Sequence, residues 1–148
     1  MAKTSSGNGT DTPVRILLVD DFQPFRSFVL SLLSKAPELE VICEVSDGLE
    51  AVHKAEELQP DLILLDVNLP KLNGIEAVSK IQRVAPNSAI LFLSECSDLD
   101  VVHAALAAGG KGYLLKSAMS RDLVEAIQTV LEGKPFLSHG LISQDDWG

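Results

Sequence analysis

The sequence has few cysteines, no long apolar run and little basic charge, and each shortage excludes a class of protein. Its only cysteines, Cys43 and Cys96, are too few and too far apart for a disulfide framework or a metal site. No apolar run approaches the ~20 residues that a membrane helix needs. The formal net charge of −9 argues against direct binding of nucleic acid through a general basic surface.

What remains is the composition of one soluble globular domain. The chain has 148 residues, of which 46% are hydrophobic and 22% charged, so it can bury a core of ordinary size. Residues 1–13, "MAKTSSGNGTDTP", lack the apolar centre of a signal peptide and are predicted to be a disordered polar lead. We therefore expect a cytoplasmic protein whose domain begins at Val14.

Short apolar runs alternate with helix-period segments along the chain. Because most of these runs are apolar throughout, they are typical of parallel strands covered on both faces. Five helix-period segments follow them. The second is predicted to close before Pro60, the third to stop before Pro86, the fourth to start near Ser97 or Asp98 and end at Gly109–Gly110, and the fifth to run to Gly133. The first carries one apolar stripe, which consists of Phe25, Phe28, Val29, Leu32 and Leu33. The pattern predicts an α/β doubly wound, flavodoxin-like fold with a five-stranded parallel sheet in the order 2-1-3-4-5. The predicted strands are Val14–Val19, Val41–Val45, Leu62–Leu65, Ala89–Leu93 and Gly112–Leu115.

Polar residues follow four of these strands, at the edge where ligands bind in such folds. Asp20 and Asp21 follow strand 1, Asp66 follows strand 3, Ser94 follows strand 4 and Lys116 follows strand 5. Two carboxylates about 4 Å apart repel by about 4 kcal/mol at an effective dielectric constant of about 20. Raised pKa values or a divalent cation must relieve this repulsion, and an all-oxygen cluster suits Mg²⁺.

The same residues predict phosphoryl chemistry. A carboxylate beside Mg²⁺ can attack phosphorus, which assigns Asp66 as the nucleophile. Lys116 can neutralise charge on the phosphoryl oxygens, and the Ser94 hydroxyl can donate a hydrogen bond to one of them. Each of the three residues would come from a different strand.

The motifs "ILLVDD", "LILLDVNLPKLNG", "ILFLS" and "GYLLK" together resemble the receiver domain of two-component response regulators. The resemblance covers residues 14–133, and "GYLLKSA" with "LVEAIQTVLEGKPFLS" is similar to the branch represented by NarL and FixJ. It implies that Asp66 accepts a phosphoryl group from a phosphohistidine on a sensor histidine kinase or a phosphotransfer protein. The domain would then be a signalling module rather than an enzyme, and phosphorylation-linked homodimers are common among its relatives.

The resemblance also implies roles for individual residues. Asp21, Asp66 and the backbone carbonyl of Asn68 would ligate Mg²⁺, with Asp20 assisting through water. Ser94 and Tyr113 match the family's switch pair, and Lys116 matches the lysine that pairs with the phosphate.

Residues 134–148 resemble the start of an inter-domain linker. Two interpretations stay open: a receiver separated from a longer parent protein, in which it would regulate transcription through a helix-turn-helix domain, or a regulator that works by binding other proteins.

One departure and three alternatives accompany this interpretation. Glu95 follows the serine where many receivers carry a small residue, so it either faces solvent or alters access to the phosphoryl group. A phosphorylation-independent interaction module would usually have lost part of the acidic pocket. A hydrolase with an aspartyl-phosphate intermediate would carry its nucleophile after strand 1, unlike Asp66. A nucleotide-binding protein would carry a Gly-rich phosphate loop there.

Overall fold

The computed structural model describes residues 12–141, so most of the predicted polar lead and residues 142–148 of the predicted linker lie outside the described residues. Strands and helices alternate along the chain. The six strands are β1 (Val14–Val19), β2 (Leu39–Val45), β3 (Leu62–Asp66), β4 (Ala89–Ser94), β5 (Gly112–Leu115) and β6 (Phe136–Leu137). The five helices are α1 (Gln23–Leu33), α2 (Gly48–Leu58), α3 (Gly74–Val84), α4 (Leu99–Ala108) and α5 (Met119–Leu131). None of the helices in this range is long and apolar enough to span a bilayer.

The sheet is parallel throughout and runs in the order β2-β1-β3-β4-β5-β6. The predicted α/β class and the order of the first five strands are confirmed, but the predicted count of five strands is wrong. The sixth strand is only two residues long and pairs Phe136 with Gly112 and Leu137 with Tyr113. A run this short has no periodicity, and the turn-forming residues around it indicated a linker instead.

The central strands are buried on both faces because helices cover both sides of the sheet. Along β1, Leu17 and Val19 pack towards α2, α3 and α4, whereas Ile16 and Leu18 pack towards α1 and α5. This alternation is the period-2 geometry of a strand, applied to residues that are all apolar. It leaves only the ends of the strands for polar groups.

The helix starts follow local capping chemistry. Asp47, Asn73 and Asp98 are the N-caps of α2, α3 and α4, and each side chain accepts a hydrogen bond from a backbone N–H in the first turn. The predicted start of the fourth helix near residue 98 is therefore confirmed. Helix α1 has no such side-chain cap and begins with Pro24 in its first turn, where a missing N–H costs nothing.

The aromatic residues around α1 are less buried than the apolar stripe of this helix indicated. Phe22 is 61% exposed and Phe28 is 39% exposed, whereas Phe25 is half-buried. Val29 and Leu33 are the residues of α1 that enter the core. The rings of Phe25 and Phe28 pack against each other with their centroids 6.3 Å apart.

The approach to β5 is tight, because Gly110 lies against the ring of Phe92. A Cβ at this glycine would come within 2.5 Å of a ring carbon and 3.2 Å of the Ala105 carbonyl oxygen. Phe92 is fully buried, so its ring has little room to move away. The glycine is required by packing.

Candidate functional site

Three carboxylates converge at the carboxyl ends of β1 and β3. Asp20 and Asp21 directly follow β1, and Asp66 is the last residue of β3. One oxygen from each side chain lies within 4.8 Å of the others. Asp20 is fully buried and Asp66 is 6% exposed, whereas Asp21 is exposed. The strands thus bring together three residues that are separated by up to 46 positions in the sequence.

Asp20 is the anchor of the cluster, since all its polar groups have partners within the protein. Its N–H donates to the Val45 carbonyl at 3.1 Å. Its Oδ1 accepts from the N–H of Phe22 at 2.8 Å, and its Oδ2 accepts from Nζ of Lys116 at 2.6 Å. Its carbonyl accepts from the Arg26 guanidinium at 2.7 Å. These contacts hold the carboxylate in place at a buried position where an unpaired charge would be costly.

Asp66 is held more loosely and at a higher electrostatic cost. Its Oδ1 accepts a hydrogen bond from the N–H of Asn68 at 3.2 Å, and its Oδ2 lies 3.5 Å from Nζ of Lys116. Burial raises the pKa of Asp66 to about 6; the Lys116 charge opposes this rise and the Asp20 charge adds to it. A bound cation would relieve this cost.

Lys116 lies between the two buried carboxylates and an aromatic ring. Nζ is 2.6 Å from Asp20 and 4.1 Å from the centre of the Phe25 ring, a cation–π distance. Burial lowers the pKa of Lys116, but the hydrogen bond to Asp20 and the charges of Asp66 and Asp20 outweigh it and raise that pKa overall. The side chain is therefore a protonated ammonium that neutralises part of the cluster.

Helix α3 begins directly behind Asp66, and only a glycine fits there. A Cβ on Gly74 would lie 2.2 Å from the Asp66 carbonyl oxygen. The N–H of Gly74 donates to the Val67 carbonyl at 2.8 Å, which closes the loop between β3 and α3. This close approach fixes the backbone from which the Asp66 side chain projects.

Ser94 and Tyr113 both contact the backbone of Cys96. Ser94 ends β4 and is fully buried; its Oγ accepts from the N–H of Cys96 at 2.9 Å. Tyr113 is also fully buried, and its hydroxyl donates to the Cys96 carbonyl at 2.8 Å. Burial raises the pKa of Tyr113. The two predicted switch residues are thus connected through the start of the loop that leads to α4.

The comparison with known families follows from this geometry. A sequence model of the response regulator receiver domain matches residues 16–128, most of the described chain. This chain is a member of the response regulator receiver domain family. The match includes both strand ends that carry the carboxylates, the end of β4 and Lys116.

The receiver is similar to regulators of the NarL type. It is 39% identical over 129 residues to the nitrate/nitrite response regulator NarL of Escherichia coli, covering 87% of this chain and 60% of that protein. It is 37% identical over 138 residues to the transcriptional regulatory protein DegU of Brevibacillus brevis, covering 90% of this chain and 58% of DegU. The chain therefore spans about three-fifths of the length of these curated relatives.

Solved structures confirm the receiver fold. A two-component response regulator of the LuxR family from Aurantimonas sp. SI85-9A1 superposes with a TM-score of 0.86, at 30% identity over 93% of this chain and all of that chain. The receiver domain of a NarL response regulator from Mycobacterium tuberculosis gives a TM-score of 0.79, at 27% identity over 84% of this chain and all of that chain. The predicted NarL-like branch is confirmed.

The acidic cluster of this receiver fits the family's magnesium site. Its donors are all carboxylate oxygens, and they lie close enough together to ligate one cation. Asp21 is exposed, so one side of the cluster is open to water. Asp21, Asp66 and Asp20 are the residues that would hold the ion or its water ligands. Asn68 is exposed and lies two residues after Asp66, and ligation by its carbonyl stays a prediction.

The structure brings Asp20, Asp21, Asp66 and Lys116 into one receiver site, and it also shows contacts that the sequence did not reveal. Arg26, Phe25 and Cys96 contribute a guanidinium, a ring face and a peptide group to residues of the site. Their contacts depend on distances between separate elements, which no local pattern encodes. Glu95 is exposed, as one of the two interpretations of this residue predicted.

Proposed function

We propose that this receiver accepts a phosphoryl group on Asp66 from a phosphohistidine, in a Mg²⁺-dependent reaction. Receiver domains of response regulators work with histidine kinases, so the donor is a sensor kinase or a phosphotransfer protein. The observation that carries the proposal is the placement of Asp66 at a strand end, 6% exposed, within reach of two further carboxylates and the Lys116 ammonium.

In the proposed step, a carboxylate oxygen of Asp66 attacks the phosphorus in line with the bond to histidine. A new P–O bond forms, the P–N bond breaks, and the histidine nitrogen leaves with the bonding electron pair. Lys116 then pairs with a phosphoryl oxygen instead of Oδ2 of Asp66. Magnesium held by Asp21, Asp66 and the Asn68 carbonyl, with Asp20 acting through water, would neutralise charge on the phosphoryl oxygens.

The signal would leave the site through Ser94 and Tyr113. A phosphoryl group adds acceptor oxygens to which the Ser94 hydroxyl can donate a hydrogen bond. Because Ser94 and Tyr113 both bond to Cys96, a change at Ser94 alters the start of the loop before α4. The surface formed by α4, β5 and α5 would then shift between two states and change its affinity for a partner or a second copy of the chain.

For a longer protein that contains this domain, we propose an output in transcription. The curated relatives include transcriptional regulatory proteins, and this chain spans only about three-fifths of their length. In such a protein, a helix-turn-helix domain would bind DNA, and the receiver itself would make no direct nucleic-acid contact.

One observation favours a second candidate, an interaction module that works without phosphorylation. The switch that the family resemblance implies has the tyrosine ring turning inward on phosphorylation, and the Tyr113 ring is already fully buried. A receiver held in this arrangement would present one surface constantly. The retained acidic cluster and Lys116 weigh against this candidate.

Intact mass measurement tests the proposal. The wild type, Asp66→Ala and Asp61→Ala would be incubated with a phosphorylated kinase domain or acetyl phosphate, with and without Mg²⁺. Asp61 is the matched control because it flanks the opposite end of the same strand. We expect a metal-dependent gain of one phosphoryl group in the wild type and Asp61→Ala only.

Two results would contradict the proposal. Phosphorylation of a folded Asp66→Ala would place the acceptor elsewhere. Failure of the folded wild type with several donors would favour the constitutive module.

A further inference from the structure

Arg26 connects the acidic site to the edge of the sheet. It is the fourth residue of α1, and its guanidinium donates to the Asp20 carbonyl at 2.7 Å and to Oε1 of Glu44 on β2 at 3.0 Å. Its side chain is 17% exposed, against 35% for Glu44. The two donors of one planar group thus join the end of β1 to the neighbouring strand.

The carbonyl that Arg26 contacts belongs to the peptide bond between Asp20 and Asp21. This peptide is planar, so fixing its oxygen fixes the direction in which the chain enters Asp21. Among residues 12–141, no hydrogen bond or ion pair holds the Asp21 carboxylate, which is exposed. Its place beside Asp20 and Asp66 therefore depends on its backbone.

We propose that Arg26 is a positioning residue for the cation site and acts by fixing the Asp20–Asp21 peptide. Without it, the peptide could rotate and carry the Asp21 carboxylate away from Asp66. The inference rests on the proposed function, because it concerns the same Mg²⁺ site. It assigns Arg26 no contact with the cation or the phosphoryl group.

The charge of Arg26 predicts the opposite effect from its geometry. A positive charge near a cation site disfavours cation binding, so loss of charge alone would tighten Mg²⁺ binding. The ion pair with Glu44 partly offsets the positive charge of Arg26 in the wild type. When Arg26 is neutralised, the Glu44 carboxylate stays as an unbalanced negative charge. The sign of the change in affinity therefore distinguishes positioning from electrostatics.

The test is calorimetric titration of Mg²⁺ into the wild type, Arg26→Gln, Arg26→Lys and Arg15→Gln. Arg15 is the matched control: its guanidinium also donates to a backbone carbonyl, that of Gln59, at 2.9 Å, but before β3 at the opposite edge. Outer-shell partners of metal ligands typically contribute tenfold or more to affinity, so we expect Arg26→Gln to weaken binding about tenfold. Arg15→Gln should bind like the wild type.

Arg26→Lys keeps the positive charge but removes the planar guanidinium, and it replaces Arg26→Gln in the test if that variant folds poorly. A single ammonium keeps the charge but cannot make both bonds in the same planar geometry, so its Kd should lie between those of the wild type and Arg26→Gln. Phosphorylation gives a second readout: Arg26→Gln should reach the wild-type rate at saturating Mg²⁺ and need about tenfold more Mg²⁺ for half of it.

Three outcomes would overturn the inference: unchanged or tighter Mg²⁺ binding in Arg26→Gln, an equal loss in Arg15→Gln, or wild-type affinity in a folded Arg26→Lys. Asp21→Ala distinguishes this failure from that of the proposed function. If Asp21→Ala loses Mg²⁺ binding while Arg26→Gln keeps it, only the role of Arg26 is wrong. If the wild type binds no Mg²⁺, the metal assignment itself is wrong.

Discussion

The two ends of β3 carry the same kind of residue in very different surroundings. Asp61 precedes the strand, is exposed, and its carboxylate accepts a hydrogen bond from the N–H of Arg15 at 2.8 Å. Asp66 ends the strand, is buried, and shares an ammonium with Asp20. The Asp61 carboxylate satisfies a backbone N–H at the sheet edge, whereas the Asp66 carboxylate is held close to other charges.

This contrast shows that position in the fold, not residue type, creates the reactive group. At the amino edge, carboxylate and guanidinium groups bond to backbone atoms, which stabilises chain connections. At the carboxyl edge, three carboxylates that follow or end two strands converge. They repel one another, and a bound cation can relieve this repulsion. Changes at the first edge should alter stability alone, and changes at the second should alter chemistry.

The largest expected difference is between Asp66→Asn and Asp61→Asn. Asparagine at 66 removes the nucleophile and should abolish phosphorylation, whereas asparagine at 61 keeps an oxygen that can accept from Arg15 and should leave it unchanged. The measurement is the mass gain after treatment with a phosphodonor and Mg²⁺. Loss of phosphorylation in folded Asp61→Asn would contradict the distinction between the two ends of β3.

The same pair predicts a difference in pH dependence. Because burial raises the pKa of Asp66 to about 6 from its usual 3.8, the folded state binds this proton more tightly than the unfolded state. Its contribution to stability is complete below pH 4 and is lost as the pH rises through 6. Urea unfolding of the metal-free protein should therefore show the wild type losing stability relative to Asp66→Asn between these values.

Lys116→Met should have the largest effect on stability at the carboxyl edge. It leaves the fully buried Asp20 carboxylate without its ammonium partner, which costs about 3 kcal/mol for a pair of this kind. Asp20→Asn in the same chain should recover part of this loss. Arg15→Met at the other edge removes one hydrogen bond and should cost about 1 kcal/mol. Urea denaturation without Mg²⁺ at neutral pH compares these three variants with the wild type, and equal costs for Lys116→Met and Arg15→Met would contradict the contrast between the two edges.

Gly110→Ala tests whether a close packing contact before β5 affects stability without affecting the Mg²⁺ site. The new methyl would overlap the Phe92 ring, so we expect a loss of about 2 kcal/mol in the free energy of unfolding. Phe92→Leu should reduce the cost of the alanine because it removes ring atoms at the contact. Mg²⁺ affinity of the folded variant should match that of the wild type; a weaker affinity would mean that this packing also shapes the site.

The smallest effect is expected for Asp21→Ala. Mg²⁺ at ten times the wild-type Kd should stabilise the wild type by about 1.4 kcal/mol, and this gain should disappear in the variant. Without Mg²⁺, the variant should be slightly more stable, because a repelling carboxylate is gone. Thermal unfolding with and without Mg²⁺ measures both effects. An unchanged Mg²⁺ response would exclude Asp21 as a ligand.

Much of the fold and the acidic site could be predicted because they depend on strand ends. Runs such as Leu62–Leu65 are apolar throughout, so their burial and the exit of a polar residue at position 66 follow directly from the sequence. The parallel order then brings the ends of β1 and β3 together. The roles of Ser94 and Lys116 rest on the same argument and on the family resemblance, and they stay predictions.

The rest could not be predicted because it depends on distances across the fold. The stripe on α1 did not reveal that Phe28 is exposed, since the helix pattern gives a face but not what covers it. Strand β6 forms only because β5 offers an unpaired edge to Phe136 and Leu137. The contact of Arg26 with the Asp20 carbonyl requires the exact distance between α1 and β1, which spacing along the chain does not provide.

The segment after α5 is bonded to the strand that carries Tyr113. The N–H of Ser138 donates to the Tyr113 carbonyl at 3.1 Å, and the N–H of Leu115 donates to the Ser138 hydroxyl at 2.8 Å. The Leu115 amide is thus protected from hydrogen exchange by a side chain of this segment and not by the β4 ladder. Its exchange rate would report detachment of the segment from β5, one residue away from Lys116.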